Sequence, residues 1–267
     1  MTQSLLQSAQ PASSILEDWG LNMWLYGPWG VGKTTLAASA QDSPWGADVL
    51  ILDAEGGVRS IAHRTDIMVI RIQGWSDLLN VYLELAESNE YSYKTVVLDN
   101  MSEFNQVSIF HAYERDESSK KDPDTPALNM YQRSTNQMRK MIRAYRDLSY
   151  KRGLNVIFTS WESTEKDDTT GAISTNVALT PALEKQAGGM IDILAYMSVQ
   201  ANGVRSLQLE HINRIKTKFR RDPRAFDIPG RIEDPSLVPM LAVLKGGETW
   251  EKAFADYQRS KGIATIK

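Results

Sequence analysis

Apolar residues occur along this chain in short dense runs separated by polar or glycine-rich stretches. LNMWLY (21–26), the start of VLILDAEGG (49–57), IMVIRI (67–72), TVVLDN (95–100) and NVIFTSW (155–161) are short and nearly continuous. Runs of this kind predict strands buried on both faces. Between the third and fourth, WSDLLNVYLELAES (75–88) places apolar residues at 78, 79, 82, 83, 85 and 86, which is helical spacing. Residues 127–153 predict a long helix that stops at Gly153, with Met138, Met141, Ile142, Tyr145 and Leu148 as its apolar stripe. Strands alternating with helices predict an α/β fold, a mostly parallel twisted sheet flanked by helices. The polar stretches 115–126 and 162–175 predict loops. From about 190 the pattern turns β-rich, through DILAYMSVQ, VRSLQLEHI and the basic NRIKTKFRRDP. It predicts a C-terminal extension of the sheet. Pro223, Pro229, Pro235 and Pro239 then break the chain, and a terminal helix around 248–260 closes it. No repeat or linker is visible, so residues 1–18 predict a flexible arm and 19–267 a single domain.

One stretch changes the picture from fold to chemistry. Gly27-Pro28-Trp29-Gly30-Val31-Gly32-Lys33-Thr34 fits G-x-x-x-x-G-K-[ST]. Glycines allow main-chain N–H groups to converge on a polyphosphate, and the helix starting near Gly32 turns its positive end to the same place. Lys33 is placed to reach the β- and γ-phosphates, the Thr34 hydroxyl to ligate Mg²⁺, and Thr35 to serve the α-phosphate. By composition alone the four fixed positions would match in about one chain of this length in a hundred. Here an apolar strand precedes the loop and a helix pattern follows, the context that the motif requires. Trp29 reads equally as an exposed lid or as a neighbour of adenine.

Two carboxylates stand at the ends of predicted strands. Asp99 closes TVVLD, where an Asp beside a phosphate loop holds Mg²⁺ through water; the bland alternative is a cap for a helix beginning at Asn100, Met101 or Ser102. Asn100 occupies the place where many ring-forming ATPases carry a water-activating glutamate. Glu55, in LDAEGG, ends the strand after the phosphate-loop helix and is the candidate base, with Asp53 and Glu103 as weaker rivals and an exposed turn acid as the alternative.

The whole-chain composition then excludes several classes. There is no cysteine, which removes disulfide scaffolds, thiolate zinc sites and cysteine nucleophiles, and three histidines without partner spacing make no metal site. No apolar run approaches the ~20 residues of a membrane helix, and the first residues lack the features of a secretory signal, so a cytoplasmic protein with no membrane partner is expected. A net charge of −3 gives no global sign of nucleic-acid binding, yet 212–224 concentrates six Lys or Arg (214, 216, 218, 220, 221, 224) against one Asp. That segment reads as phosphate neutralisation at a subunit interface, as DNA-backbone contact, or as a solvated turn. Arg139, Arg143 and Arg146 share a helix face that suits solvent better than DNA, and Trp161 suits a core position better than a base-stacking one.

In their order, these motifs resemble the RecA/RadA recombinase ATPases from about 20 to 230. LDAEGG is similar to the strand ending in that family's catalytic glutamate, which implies that role for Glu55; TVVLDN is similar to its Mg²⁺-aspartate strand, which implies Asp99. NQMRKMIRAYRDL and NVIFTSW resemble the helix after the first DNA-binding loop and the strand leading into the second. RIKTKFRRDP resembles the lysine-x-lysine strand whose lysines reach a neighbouring subunit's γ-phosphate, which implies that use of Lys216 and Lys218. Ser160-Trp161 departs from the glutamine usual at the γ-phosphate sensor. The absence of large additions to the core resembles the short RecA-like single-strand-annealing proteins of bacteriophages. The resemblance implies a Mg²⁺-dependent ATPase of DNA recombination, acting on single-stranded DNA and self-associating into a filament or ring. Two other readings stay open: an ATP-switched, non-catalytic DNA-binding module, and a ring-forming phage ATPase of another process.

Overall fold

A computed structural model describes Ala9, Pro11 and residues 19–115, 127–166, 169, 171–212, 214–221 and 223–262. Apart from Ala9 and Pro11, the expected arm lies outside the described residues, as does nearly all of the expected loop at 115–126.

Eleven strands are seen among these residues: β1 (Asn22–Tyr26), β2 (Val49–Asp53), β3 (Met68–Arg71), β4 (Thr95–Asp99), β5 (Asn155–Ser160), β6 (Glu162–Lys166), β7 (Ile173–Val177), β8 (Ile193–Val199), β9 (Arg205–Gln208), β10 (Lys218–Phe219) and β11 (Arg231–Glu233). The seven α-helices are α1 (Lys33–Ala38), α2 (Trp75–Glu87), α3 (Met101–Glu114), α4 (Leu128–Lys151), α5 (Pro181–Met190), α6 (Leu237–Leu244) and α7 (Trp250–Ser260). The main sheet runs β11-β9-β8-β1-β5-β4-β2-β3, with β10 also on β8. From β8 to β3 every pairing is parallel; β9, β10 and β11 join antiparallel. The expected sheet and its β-rich extension are therefore both present, and the chain is an α/β P-loop core.

Side chains alternate across a strand, so each central strand feeds two cores. Met23 and Leu25 of β1 and Ile51 of β2 pack on one face with α1 and α6. Trp24, Leu50, Leu98 and Phe158 pack on the other with α2, α3, α4 and α5. Both faces of β1, β2, β4 and β5 are covered, which is why they read as unbroken apolar runs, whereas β3, equally apolar in sequence, is the edge strand of the sheet and leaves Met68, Val69 and Ile70 exposed rather than buried on both faces. The α4 stripe Met138, Met141, Ile142, Tyr145 and Leu148 is wholly buried. On its flank, Arg139 donates to Gln186 and Arg146 pairs with Asp147, while Arg143 stays exposed.

Four further features differ from expectation. The stretch 162–175 is largely a β-hairpin: β6 and β7 pair antiparallel from Glu162 opposite Val177 to Lys166 opposite Ile173. Its alternate positions are polar on both faces, so no period-2 apolar signal marks it. Helix α3 was legible only as a possible start at Asn100, because its buried face mixes Phe104 and Ile109 with Ser102, Asn105 and Ser108. Helix α5 carries Gly188 and Gly189, poor helix formers, and takes Pro181 at its first turn. Pro239 breaks nothing: it lies in the first turn of α6, where its missing N–H has no partner to lose, and Ser236 caps that helix through Val238 N. Among the described residues no helix is long and apolar enough to cross a membrane.

Candidate nucleotide-binding site

Parallel register brings the ends of β1, β2, β4 and β5 to one edge of the sheet, with Asp53 level with Asp99. The loop Gly27–Thr34 leaves β1 at this edge. Gly27 is held so close to β8 that a Cβ there would lie 2.1 Å from the Met197 carbonyl oxygen. Gly32, at φ 102°, turns the chain into α1 through the left-handed region that glycine favours. Trp29 stands on the outer lip, 87% exposed.

Lys33 points back into the loop. Its ammonium donates to the carbonyls of Gly27 (2.9 Å) and Pro28 (2.7 Å). Burial lowers its pKa, opposed by the negative charges of Asp99, Glu55 and Glu162. Beside it the Thr34 hydroxyl donates to Asp99 Oδ2 at 2.7 Å, and Thr159 donates to Asp99 Oδ1. Burial raises the Asp99 pKa; the two hydroxyls and Lys33 pull it down, and Asp53 adds to the rise.

Glu55 lies just past the end of β2. Its carboxylate accepts a hydrogen bond from Asn100 Nδ2, while Asn100 Oδ1 accepts from Glu103 N at 2.9 Å and so caps α3. The capping interaction fixes the Asn100 amide, and the amide holds Glu55 toward Asp99. Burial, and then the neighbouring Asp99, raise the Glu55 pKa; the Asn100 bond lowers it, and Glu103 raises it further. The rival Asp53 is committed elsewhere: it accepts from Gly56 N at 2.8 Å and pairs with Arg71 at 2.7 Å. The other rival, Glu103, offers its main-chain N–H to the cap.

Lys33, Thr34, Glu55, Asp99, Trp161 and Arg205 line one cavity of about 270 Å³. Thr34 Oγ1 and Asp99 Oδ2 turn adjacent oxygens toward Gly57, where a Cβ would come within 3.3 and 3.2 Å of them. Glycine leaves that space open, and two hard oxygens beside it suit a magnesium ion that draws the rest of its shell from phosphates and water. Among the described residues no group of three or more His, Asp or Glu makes a self-sufficient metal cage.

The basic segment is mostly committed. Lys218 does not project outward: its ammonium donates to the carbonyls of Gly188 (2.8 Å) and Ile191 (2.6 Å), closing the C-terminal end of α5. Arg220 pairs with Asp192 and Arg221 with Glu210, both at 2.7 Å. The Arg224 side chain lies outside the described residues. Lys216 is exposed; its main chain accepts from Tyr26 OH at 2.6 Å and donates to Thr175 O at 2.9 Å, which ties this segment to β7 beside the loop. Ser160 is buried, its hydroxyl accepts the Trp24 indole N–H at 3.0 Å, and it does not line the cavity that holds Lys33 and Asp99.

Sequence reasoning passed over Asn100 as a binder, Glu162 and Arg205. Asn100 had a signal, an N-cap residue with Glu three positions on. Glu162 accepts from Tyr196 OH at 2.8 Å, a pairing between distant segments with no local trace.

Residues 20–221 match a family model described as an AAA domain. Among solved structures the crystal structure of the RadB recombinase is similar, with a TM-score of 0.46 and 16% identity over 73% of this chain and 83% of that one, a likeness too distant to bear on activity. No curated protein matches. The family match takes in the phosphate loop, the strands that lead to Glu55 and Asp99, and the basic segment as far as Arg221, and the chain belongs to the AAA domain family.

Proposed function

We propose that this protein binds Mg·ATP at Gly27–Thr35, hydrolyses it, and uses the cycle to act on single-stranded DNA in phage-type recombination or annealing. One observation supports this above the rest: a single cavity gathers Lys33, the Thr34–Asp99 pair and the Asn100-held Glu55. Lys33 exchanges its two loop carbonyls for the β- and γ-phosphates. Thr34 and Asp99 hold magnesium, which supplies charge neutralisation on the phosphates. Glu55 takes the proton of the attacking water, a role favoured by its raised pKa.

A larger groove of about 610 Å³ adjoins the site, lined by Asn105, Gln106, Phe110, Tyr131 and Trp161. Of these, Gln106, Phe110 and Tyr131 are exposed, and exposed aromatic and amide side chains are suited to stacking and pairing with unpaired bases. Trp161 lines both this groove and the phosphate cavity. That shared side chain is the physical basis for coupling DNA to turnover. Turnover titrated with single- and double-stranded DNA over a range of protein concentrations tests the proposal. Stimulation by single strands that grows with protein concentration is expected; equal rates throughout would overturn the coupling. The second reading, an ATP switch without hydrolysis, is favoured by Ser160, buried and bonded to Trp24 outside the cavity lining, and by an amide in place of an acid after Asp99.

Two predictions arise here. Removing the Asn100 hydrogen bond raises the Glu55 pKa further, since that bond lowers it. A base works only above its pKa, so the acid limb of the Asn100→Ala rate profile should move to higher pH, with turnover at neutral pH reduced about tenfold. An unmoved limb would separate Asn100 from Glu55. The second concerns the lysines. If Lys216 reaches a neighbouring subunit's nucleotide, Lys216→Ala should fold normally and lose turnover only where the wild type assembles. Lys218→Ala should instead lower stability by about 1–2 kcal/mol, by leaving two carbonyls at a helix end without their cation. Denaturant titration and turnover on the two variants check the contrast.

A further inference from the structure

Arg205 opens β9, two strands away from β1, and reaches back to the phosphate loop. Its Nε donates to the Val31 carbonyl at 3.0 Å, and a Cβ on Gly32 would stand 3.2 Å from the same nitrogen. Its main chain is pinned by pairing with Val199 and by Asp234 N donating to its carbonyl at 2.8 Å. Among the described residues no carboxylate pairs with it and its two terminal nitrogens have no partner. The nearby acid, Asp42, is taken by Arg64 at 2.7 Å.

The guanidinium stands where two cavities meet. One is the phosphate cavity of about 270 Å³, with Lys33, Thr34, Glu55 and Asp99. The other, about 380 Å³, is lined by Thr35, His63, Met197, Pro235 and Tyr257. Gly32, Thr35 and Arg205 line both. A polyphosphate whose far end lies between Lys33 and the Thr34–Asp99 pair must leave past Gly32 and Thr35, directly under Arg205. An arginine anchored through Nε still offers its paired Nη groups as a fork matched to phosphate oxygens.

We propose that Arg205 is a phosphate ligand supplied by the same subunit. Its fork binds the α- and β-phosphates, and the cavity beyond it, between Pro235 and Tyr257, receives the nucleoside. This rests on the nucleotide-binding reading above and adds to it a cation and a direction for the ligand. No neighbouring subunit is needed for this charge.

The test is calorimetric titration of Mg·ADP and Mg·ATP into wild type, Arg205→Ala, Arg205→Gln and Arg205→Lys, with melting curves of the nucleotide-free proteins. Alanine and glutamine should each weaken both nucleotides by about tenfold to a hundredfold, lysine should restore part of the loss, and the melting temperatures should stay together. Glutamine keeps an N–H donor for Val31 but no charge, so glutamine binding like wild type while alanine does not would mean that Arg205 only positions the loop, and would overturn the proposal. Binding of ADP within twofold of wild type in both variants would overturn it, and loss of ATP alone would overturn the placement at the α- and β-phosphates. If the wild type bound neither nucleotide, the reading of the phosphate loop itself would fail.

Discussion

Lys33→Ala should weaken Mg·ATP binding by at least about a hundredfold and remove measurable turnover. The magnitude follows from the environment. Lys33 as a residue is only 8% exposed, and each hydrogen bond between a charged donor and a phosphate contributes about 1.5–3 kcal/mol in such surroundings. Its loss also leaves Asp99, Glu55 and Glu162 without the cation that offsets them, so an incoming polyphosphate meets uncompensated negative charge. Folding should be little affected, because the loop carbonyls of Gly27 and Pro28 that Lys33 engages lie beside a cavity that water reaches. The same residue gives the binding a pH signature. Burial lowers the Lys33 pKa, so the charged form that phosphate needs is lost as pH rises through that depressed value, and affinity should fall on the alkaline side. Calorimetry on wild type and Lys33→Ala over pH 7 to 10 reads both effects. Affinity within threefold of wild type would detach the nucleotide from this loop.

The site was legible in proportion to how local its chemistry is. Gly27, Gly32, Lys33 and Thr34 stand in one short stretch whose backbone needs are written in glycine, and the buried strands that lead to Glu55 and Asp99 announce themselves as apolar runs. What could not be read joins distant segments. The Asn100 side chain looked like a missing glutamate; in space it caps α3 with one end and holds Glu55 with the other, across 45 residues. Lys218 matched a motif at the right spacing, yet its ammonium is drawn to the carbonyls of Gly188 and Ile191 at the end of α5, about 30 residues earlier in the chain. Arg205 reaches Val31 across 174 residues and belonged to no pattern. The β6–β7 hairpin failed for a different reason: a strand pair polar on both faces lacks the one-sided burial from which period-2 patterns arise.

Glu55→Gln should separate the two leading readings of the protein. Glutamine has nearly the same shape and keeps an oxygen that can accept the Asn100 Nδ2 hydrogen bond, so the loop after β2 and the N-terminus of α3 should be preserved. Nucleotide affinity should hold or rise slightly, since one negative charge leaves a cavity meant for phosphates. What glutamine cannot do is take a proton. If Glu55 is the base, turnover should fall by about 10² to 10⁴, the range that general-base catalysis contributes. In the wild type, burial and Asp99 hold the Glu55 pKa above the usual carboxylate range, so turnover should be present above that value and decline as pH drops through it. The residual activity of Glu55→Gln should lack this limb. Single-turnover measurements with saturating Mg·ATP, paired with calorimetry, read rate and affinity apart. Full turnover in Glu55→Gln would return Glu55 to an exposed turn acid. Tight binding in both proteins with no turnover in either would favour a nucleotide that acts by being held, with Trp161 carrying its presence to the neighbouring groove and no bond broken.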